Sequence, residues 1–216
     1  MTRTVVVDFD GTITEDDLLD TIARDFGDPT VYQEVENALV AGEITLRECI
    51  TREYEPVTRP LEEVVAWVLE RVRIRPGFRE LVELARERGW RFIVLSSGFE
   101  ELIAPVLGRE GVHVELLANR VDARPDGWRV HWRDNAVCAI CGESCKRAAL
   151  PEGEVVYVGD GISDRCAALA ADRVFATRGL ARYLDSAGVP FERFDDFFDV
   201  GSALGNSELL RPGTAA

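Results

Sequence analysis

The chain is expected to fold as a doubly wound α/β protein, a parallel sheet covered by helices on both faces. A small all-helical unit is inserted after its first strand. Three observations predict this. Short β-branched and apolar runs alternate with amphipathic helical segments, the order that a parallel sheet requires. Three of those runs, 4–7, 92–95 and 155–158, end abruptly in polar clusters. Between the first run and Arg75 the apolar residues follow helical spacing with no strand signal.

In chain order, residues 4–7 read as a buried strand stopping at Asp8-Phe9-Asp10-Gly11-Thr12. From 14 to 75, Leu18, Leu19, Ile22 and Phe26 share one face, followed by Val31, Val35 and Leu39, and later by Leu61, Val64, Val65, Val68 and Val72. Thr14 before Asp17, and Thr30 before Gln33 and Glu34, mark helix starts in a unit of about four helices. Pro76-Gly77 opens a helix that ends at Gly89. The strand at 92–95 is expected to halt at Ser96-Ser97-Gly98, with a helix beyond it to about Leu107. Residues 116–132 alternate around a turn at Asp126-Gly127 and predict a β-hairpin, with Trp128 and Trp132 covering a core or an interface. The strand at 155–158 ends at Gly159-Asp160-Gly161. A helix over 164–171 and short strands near 174–176 and 191–194 follow, and Phe197 and Phe198 are expected to be buried in a surface helix or turn. The expected domains are therefore a Rossmann-like core of 1–13 and 76–216, with the hairpin as an excursion, and a helical cap of 14–75.

The chain has 216 residues, 25 Lys and Arg against 39 Asp and Glu, and a net charge of −14. That charge argues against nucleic acid and anionic membrane as partners. No run approaches the ~20 apolar residues of a membrane span. With no apolar leader before Asp8, the expected location is the cytoplasm, as a monomer or homodimer with mostly reduced cysteines.

Ligands of open parallel sheets bind at the carboxyl ends of the strands, where this chain concentrates its polar residues. Asp8, Asp10 and Asp160, brought together, could not all stay ionised without a cation between them, and oxygen-only ligands favour Mg²⁺. Ser96, Ser97 and the backbone around Gly98 offer an anion cradle, and Lys146 would offset the charge of the same anion. Together these describe a site for phosphoryl transfer on a small phosphorylated metabolite. One carboxylate attacks phosphorus, while a second, kept protonated, serves the leaving oxygen and later activates water.

These motifs resemble those of the haloacid dehalogenase-like phosphatases. Asp8-Phe9-Asp10-Gly11-Thr12 matches the first motif, Ser96 after its strand the second, Lys146 the third, and Gly159-Asp160-Gly161 with Asp164 the fourth. The resemblance implies Asp8 as nucleophile, Asp10 as general acid and base, and Ser96 and Lys146 on the phosphoryl oxygens. It also implies Mg²⁺ on Asp8, the Asp10 backbone carbonyl and Asp160, with Asp164 behind them or orienting Lys146. The dehalogenase branch lacks the second aspartate, so dehalogenation is disfavoured. The insertion resembles the cap of the phosphoserine phosphatase-like branch, which implies that Asp17 faces the substrate. In that branch a cap arginine binds the substrate carboxylate, whereas the aligned position here holds Glu53, with Arg52 beside it as the candidate contact. The stretch Ile74-Arg75-Pro76-Gly77-Phe78-Arg79-Glu80, the Cys-rich run before Lys146 and the place of Arg52 are similar to phosphatases acting on 2-hydroxy-3-keto-5-methylthiopentenyl-1-phosphate in methionine salvage. Phosphatases of phosphoserine, phosphocholine and phosphoethanolamine remain alternatives, as do a phosphotransferase and a non-enzymatic module that binds Mg²⁺ and phosphate.

Cys138, Cys141 and Cys145 have spacing compatible with three zinc ligands, with a fourth to come from His131, His113 or a distant group; reduced thiols packing the loop before Lys146 are the other reading. His113 and His131 are read as having no catalytic role.

Overall fold

A computed structural model describes residues 3–135, 137–143 and 145–205. It contains a seven-stranded sheet in the order β4-β3-β2-β1-β5-β6-β7. The strands are β1 (Arg3–Val7), β2 (Arg91–Phe99), β3 (Glu115–Arg124), β4 (Gly127–His131), β5 (Glu154–Gly159), β6 (Arg173–Ala176) and β7 (Glu192–Arg193). Every neighbouring pair is parallel except the β3–β4 hairpin. The doubly wound α/β class and the hairpin excursion are thus as expected.

The alternation of side chains along the strands divides the core in two. Val5, Val7, Phe92, Val94, Val156 and Val158 face one side, where they pack against α5 (Phe78–Glu87), α6 (Glu100–Arg109) and α9 (Phe197–Ala203). Val6, Ile93, Leu95, Val155 and Tyr157 face the other, beneath α7 (Arg165–Ala168) and α8 (Arg178–Ala187). Since both faces are covered, β1 and β5 read as continuous apolar runs. Phe197 and Phe198 are buried in α9, as expected, and Asp196 caps that helix.

Between β1 and α5 lie four helices, α1 (Leu18–Phe26), α2 (Pro29–Ala41), α3 (Leu46–Tyr54) and α4 (Leu61–Arg71). Their starts differ from expectation. Asp17 caps α1 by accepting the Asp20 amide, and Asp28 caps α2 ahead of Pro29 at the first helical position. Thr14 is instead engaged in the loop after β1, where its hydroxyl bonds to backbone oxygens of Phe9 and Asp16. The two chain crossings between insertion and core run side by side: Thr14 bridges Ile74, and the Arg75 amide donates to the Ile13 carbonyl at 2.8 Å. Among the described residues no helix is long and apolar enough to cross a membrane.

Two further differences bear on the site. β2 does not halt at Leu95 but continues through Ser96, Ser97 and Gly98 to Phe99, with a register shift against β3 over that stretch. A bulge at a strand end re-aims side chains without ending the strand. The hairpin turn falls at Pro125-Asp126, since Arg124 pairs with Gly127. Gly127 has φ +119°, and a Cβ there would lie 2.0 Å from the Glu55 carbonyl oxygen, so the hairpin approaches the insertion as closely as backbone allows.

Trp128 secures this approach. Its amide donates to the Val57 carbonyl and its indole N–H to the Arg59 carbonyl, each at 2.9 Å, and its ring stacks on Tyr54. Its side chain is 1% exposed. Trp128→Ala is expected to lower the unfolding free energy by about 3–5 kcal/mol, read from the urea midpoint. A change within error would mean that the hairpin does not support the insertion.

Candidate active site

The site sits where β1 ends between β2 and β5, the point of an open sheet at which the connections diverge to either side. The Asp8 amide donates to the Val158 carbonyl, which continues the β1–β5 ladder by one residue and sets Asp8 opposite Gly159, one residue before Asp160. Asp8, Asp10, Ser96, Lys146, Asp160 and Asp164 all converge here.

Lys146 is 3% exposed and starts a short helical turn, Lys146–Ala149. Its Nζ lies 2.5 Å from Asp8 Oδ1 and 2.7 Å from Asp164 Oδ1. Burial works to lower its pKa, but Asp164 and Asp8 outweigh that and raise it, so the ammonium stays charged. Asp164 is fully buried and also accepts from the Tyr157 hydroxyl (2.7 Å) and the amides of Asp160 and Gly161 (2.9 Å each). Burial alone would raise its pKa; Lys146 and these donors instead hold it below the usual carboxylate range.

The other carboxylates are pushed the opposite way. Burial, then the Asp164 carboxylate, raises Asp8, against the pull of Lys146. Asp160 is pushed up to about 7 by burial and by Asp164 and Asp17, opposed by the Thr12 hydroxyl that donates to it at 3.1 Å. Asp10 is also pushed up to about 7, by burial and then by Asp17, with Ser96 opposing. A carboxyl titrating near neutrality can both give and take a proton at physiological pH.

Carboxylate oxygens of Asp8, Asp160 and Asp164 lie within 4.8 Å of one another. The chemistry fits a hard divalent cation: Asp8 and Asp160 are raised by burial and then by neighbouring carboxylates, a charge that a cation would relieve, and every donor is oxygen. Gly11 (φ +72°) keeps the space clear, because a Cβ there would meet Asp160 Oδ2 at 2.5 Å. Asp164, saturated by its four donors, supports Lys146 and the backbone of the Asp160 loop.

Ser96 Oγ donates to Asp10 Oδ2 at 3.1 Å and accepts the Gly98 amide at 2.7 Å. The Gly98 amide is therefore spent on Ser96, which differs from the expected cradle at a helix N-terminus; α6 begins only at Glu100. Gly98 matters instead for space, since a Cβ there would lie 2.8 Å from Asp10 Oδ2. Ser97 lines the cavities, and its carbonyl is held by the Asn119 side chain at 2.7 Å.

Two adjoining cavities of about 370 and 380 Å³ share Ser97, Leu39 and Leu46. The core side contributes Lys146, Arg133 and Arg165 together with Asp8, Asp10, Asp160, Asp134 and Glu143. The insertion side contributes Asp17, Asp20, Glu36 and Glu53, with Leu39, Val40 and Ile50 between them. Arg52 is absent from both linings. It pairs with Glu34 at 2.6 Å and Glu48 at 3.8 Å on the outer surface of α3.

Sequence reasoning passed over several supporting residues. Arg75 grips the loop after β1, donating to the carbonyls of Thr12 and Gly11 at 2.8 Å each and to that of Asp195. Tyr157, Thr12 and Asn119 act through the bonds given above. A tyrosine amid the valines of β5 was a legible signal, since a buried hydroxyl needs a partner.

This chain belongs to the haloacid dehalogenase-like hydrolases, the family whose description matches residues 5–169. It is thus an enzyme. Among similar proteins, the 2-hydroxy-3-keto-5-methylthiopentenyl-1-phosphate phosphatase of Geobacillus kaustophilus (strain HTA426) is 29% identical, with 97% of this chain and 100% of that protein covered. Pdp3-interacting factor 1 of Schizosaccharomyces pombe is 30% identical, covering 93% of each chain. Among solved structures, the phosphoserine phosphatase from T. onnurineus superposes with a TM-score of 0.68 at 22% identity, over 95% of this chain and 96% of that one, a likeness of fold.

Glu53 gives a test of the electrostatics. It is 7% exposed, its Oε1 has no hydrogen-bond partner, and burial followed by Glu36 pushes its carboxyl up to about 8. A folded-state pKa above the unfolded value means that the folded chain holds this proton after the unfolded chain has released it. The contribution to stability is present below about pH 4.5 and is lost as pH rises through about 8. Glu53→Gln is therefore expected to gain stability relative to wild type as pH rises through that window. Urea unfolding of both proteins at the two ends measures it; a constant difference would refute the assignment.

Proposed function

We propose that the chain is a Mg²⁺-dependent phosphatase that hydrolyses a small phosphomonoester through an aspartyl-phosphate on Asp8. The observation that carries this reading is the pairing at the end of β1: Asp8 lies against Lys146, while Asp10, two residues on, is held near neutrality. An Asp8 oxygen attacks phosphorus as the ester P–O bond breaks, and Asp10 gives its proton to the leaving oxygen. Asp10 then takes a proton from water, which attacks phosphorus, releases phosphate and regenerates Asp8. Lys146 and Ser96 steady the phosphoryl oxygens, and Asp164 keeps Lys146 in place. Mg²⁺, held by Asp8, Asp160 and the Asp10 backbone carbonyl, would supply the positive charge that these anions need. The four-helix insertion is the cap over the site, and Asp17 is the substrate contact it provides.

All of the cleft's cations, Lys146, Arg133 and Arg165, stand on the core side, and the cap side is acidic, which suits a phosphate at one end and a body without a carboxylate at the other. Phosphoserine is disfavoured on this ground. A neutral, partly apolar body suits Leu39, Val40, Leu46 and a protonated Glu53, and the relatives named for 2-hydroxy-3-keto-5-methylthiopentenyl-1-phosphate support that substrate. A second reading, a phosphorylated amino alcohol such as phosphocholine or phosphoethanolamine, is favoured by the carboxylates Asp17, Asp20 and Glu36 on the same wall.

Asp8→Asn is expected to reduce turnover by roughly 10⁴-fold or more while the chain still unfolds in one cooperative transition, at a lower urea midpoint because Lys146 keeps only Asp164 as its anion. Wild-type turnover in that variant would end the mechanism. Phosphate release from a panel of these esters should show one preferred by at least about 100-fold over phosphoserine. Phosphoserine as the best substrate would overturn the reading of the cap.

A further inference from the structure

The loop between β4 and Lys146 has a feature that phosphate chemistry does not use. Cys138, Cys141 and Cys145 on this loop meet Cys166 of α7, with all four sulfurs within 4.8 Å of one another. Cys138 and Cys166 sulfurs are 3.6 Å apart, and none of these cysteines forms a disulfide. A zinc–sulfur bond of about 2.3 Å places the four corners of a tetrahedron about 3.8 Å apart. The Cys138–Cys166 pair is already at that spacing, and the other sulfurs lie within about an ångström of it. The fourth member is Cys166, and neither histidine is needed.

The backbone is shaped for the same purpose. The amides of Ile140 and Cys141 point at the Cys138 sulfur, the former at 3.4 Å, and the Gly142 amide returns to the Cys138 carbonyl at 2.9 Å. Gly142 completes the turn with φ +73°. A tight turn that aims amides at the Cys138 sulfur and presents Cys141 beside it favours a thiolate at the first of the four positions, since amide donors favour the charged form. Apolar packing is a poor account of the cluster. Cys141 is exposed and Cys145 half-buried, and Val137 and Ile140 on the same loop lie in solvent. Among the described residues between 133 and 145, Cys138 is the one that is buried.

We infer that Cys138, Cys141, Cys145 and Cys166 bind a structural zinc ion, which clamps the loop carrying Lys146 to the helix that follows Asp164. The linkage is short on both sides: Cys145 adjoins Lys146, and Cys166 lies two residues beyond Asp164. A cation bound here fixes both ends of the Lys146–Asp164 ion pair from the wall of the cavity that Lys146 and Ser96 also line. A site with four protein ligands leaves no open position, so its role is to hold structure.

The test is metal analysis of the full chain, purified reduced from zinc-supplemented cells. It does not depend on the proposed hydrolysis, because metal content is read without turnover. Zinc is expected at one ion per chain, with Cys141→Ser and Cys166→Ser losing it and Cys49→Ser keeping it. Replacement by Co²⁺ should give the strong thiolate charge-transfer and d–d bands of a tetrahedral sulfur site, a readout on the wild-type chain that stands even if the serine variants fail to fold. Stripping zinc should speed proteolysis within 132–145 and lower turnover about 10-fold or more, with recovery on zinc but not on Mg²⁺ alone. Metal-free protein with no cobalt bands, iron in place of zinc, or zinc retained in both serine variants would overturn the site. Unchanged proteolysis and turnover after stripping would overturn the clamp.

Discussion

The buried charge of Lys146 is the constraint around which the rest is arranged. Removing an ammonium from water costs several kcal/mol, and only close, well-oriented anions offset it. Asp8 and Asp164 do so from opposite sides, one after β1 and the other after β5. Parallel pairing of these two strands sets the distance between the carboxylates. Tyr157 and two amides then complete the hydrogen bonding of Asp164, leaving Asp8 as the less satisfied partner. This asymmetry gives the two aspartates different chemistry: Lys146 and its other donors hold Asp164 as an anion, whereas burial and the neighbouring carboxylates raise the pKa of Asp8.

A net charge of −14 would at first sight repel a phosphate ester. Local arrangement overrides the sum, because fields inside a low-dielectric cleft are set by the nearest groups. Lys146, Arg133 and Arg165 line the core wall beside Asp8, Asp10 and Asp160, whereas the charged groups that the insertion brings to the cleft are all acidic. An incoming ester is therefore oriented before it is recognised in detail.

The strands and the catalytic motifs were legible because they obey short-range rules. Buried strands are runs of valine and isoleucine, and a polar triplet after each such run marks the sheet's carboxyl edge. The helix α8 was missed: Arg178 and Gly179 open it, and only Leu180, Ala181 and Leu184 are buried along it, too few to announce a periodicity. Thr14 and Thr30 resemble helix caps in sequence, but an aspartate was available at each helix start. Arg52 looked like a ligand contact because it neighbours Glu53, yet adjacent residues on a helix point in different directions. Cys166 was beyond reach for a topological reason, since β5 separates it from the other three thiols in the chain.

The insertion is tied to the core at several separate places. Paired crossings at Thr14 and Ile74 are gripped by Arg75, and the Trp128 amide and indole hold the backbone near Val57 and Arg59. Arg109 of α6 donates to the Leu69 and Val72 carbonyls at the end of α4, and Arg47 of α3 donates to Asn135 beyond the hairpin. Leu39 and Leu46 reach the cleft from a body fastened in this way on several sides. The wall that a ligand meets there is braced from behind by the fold, as a vault is braced by its buttresses.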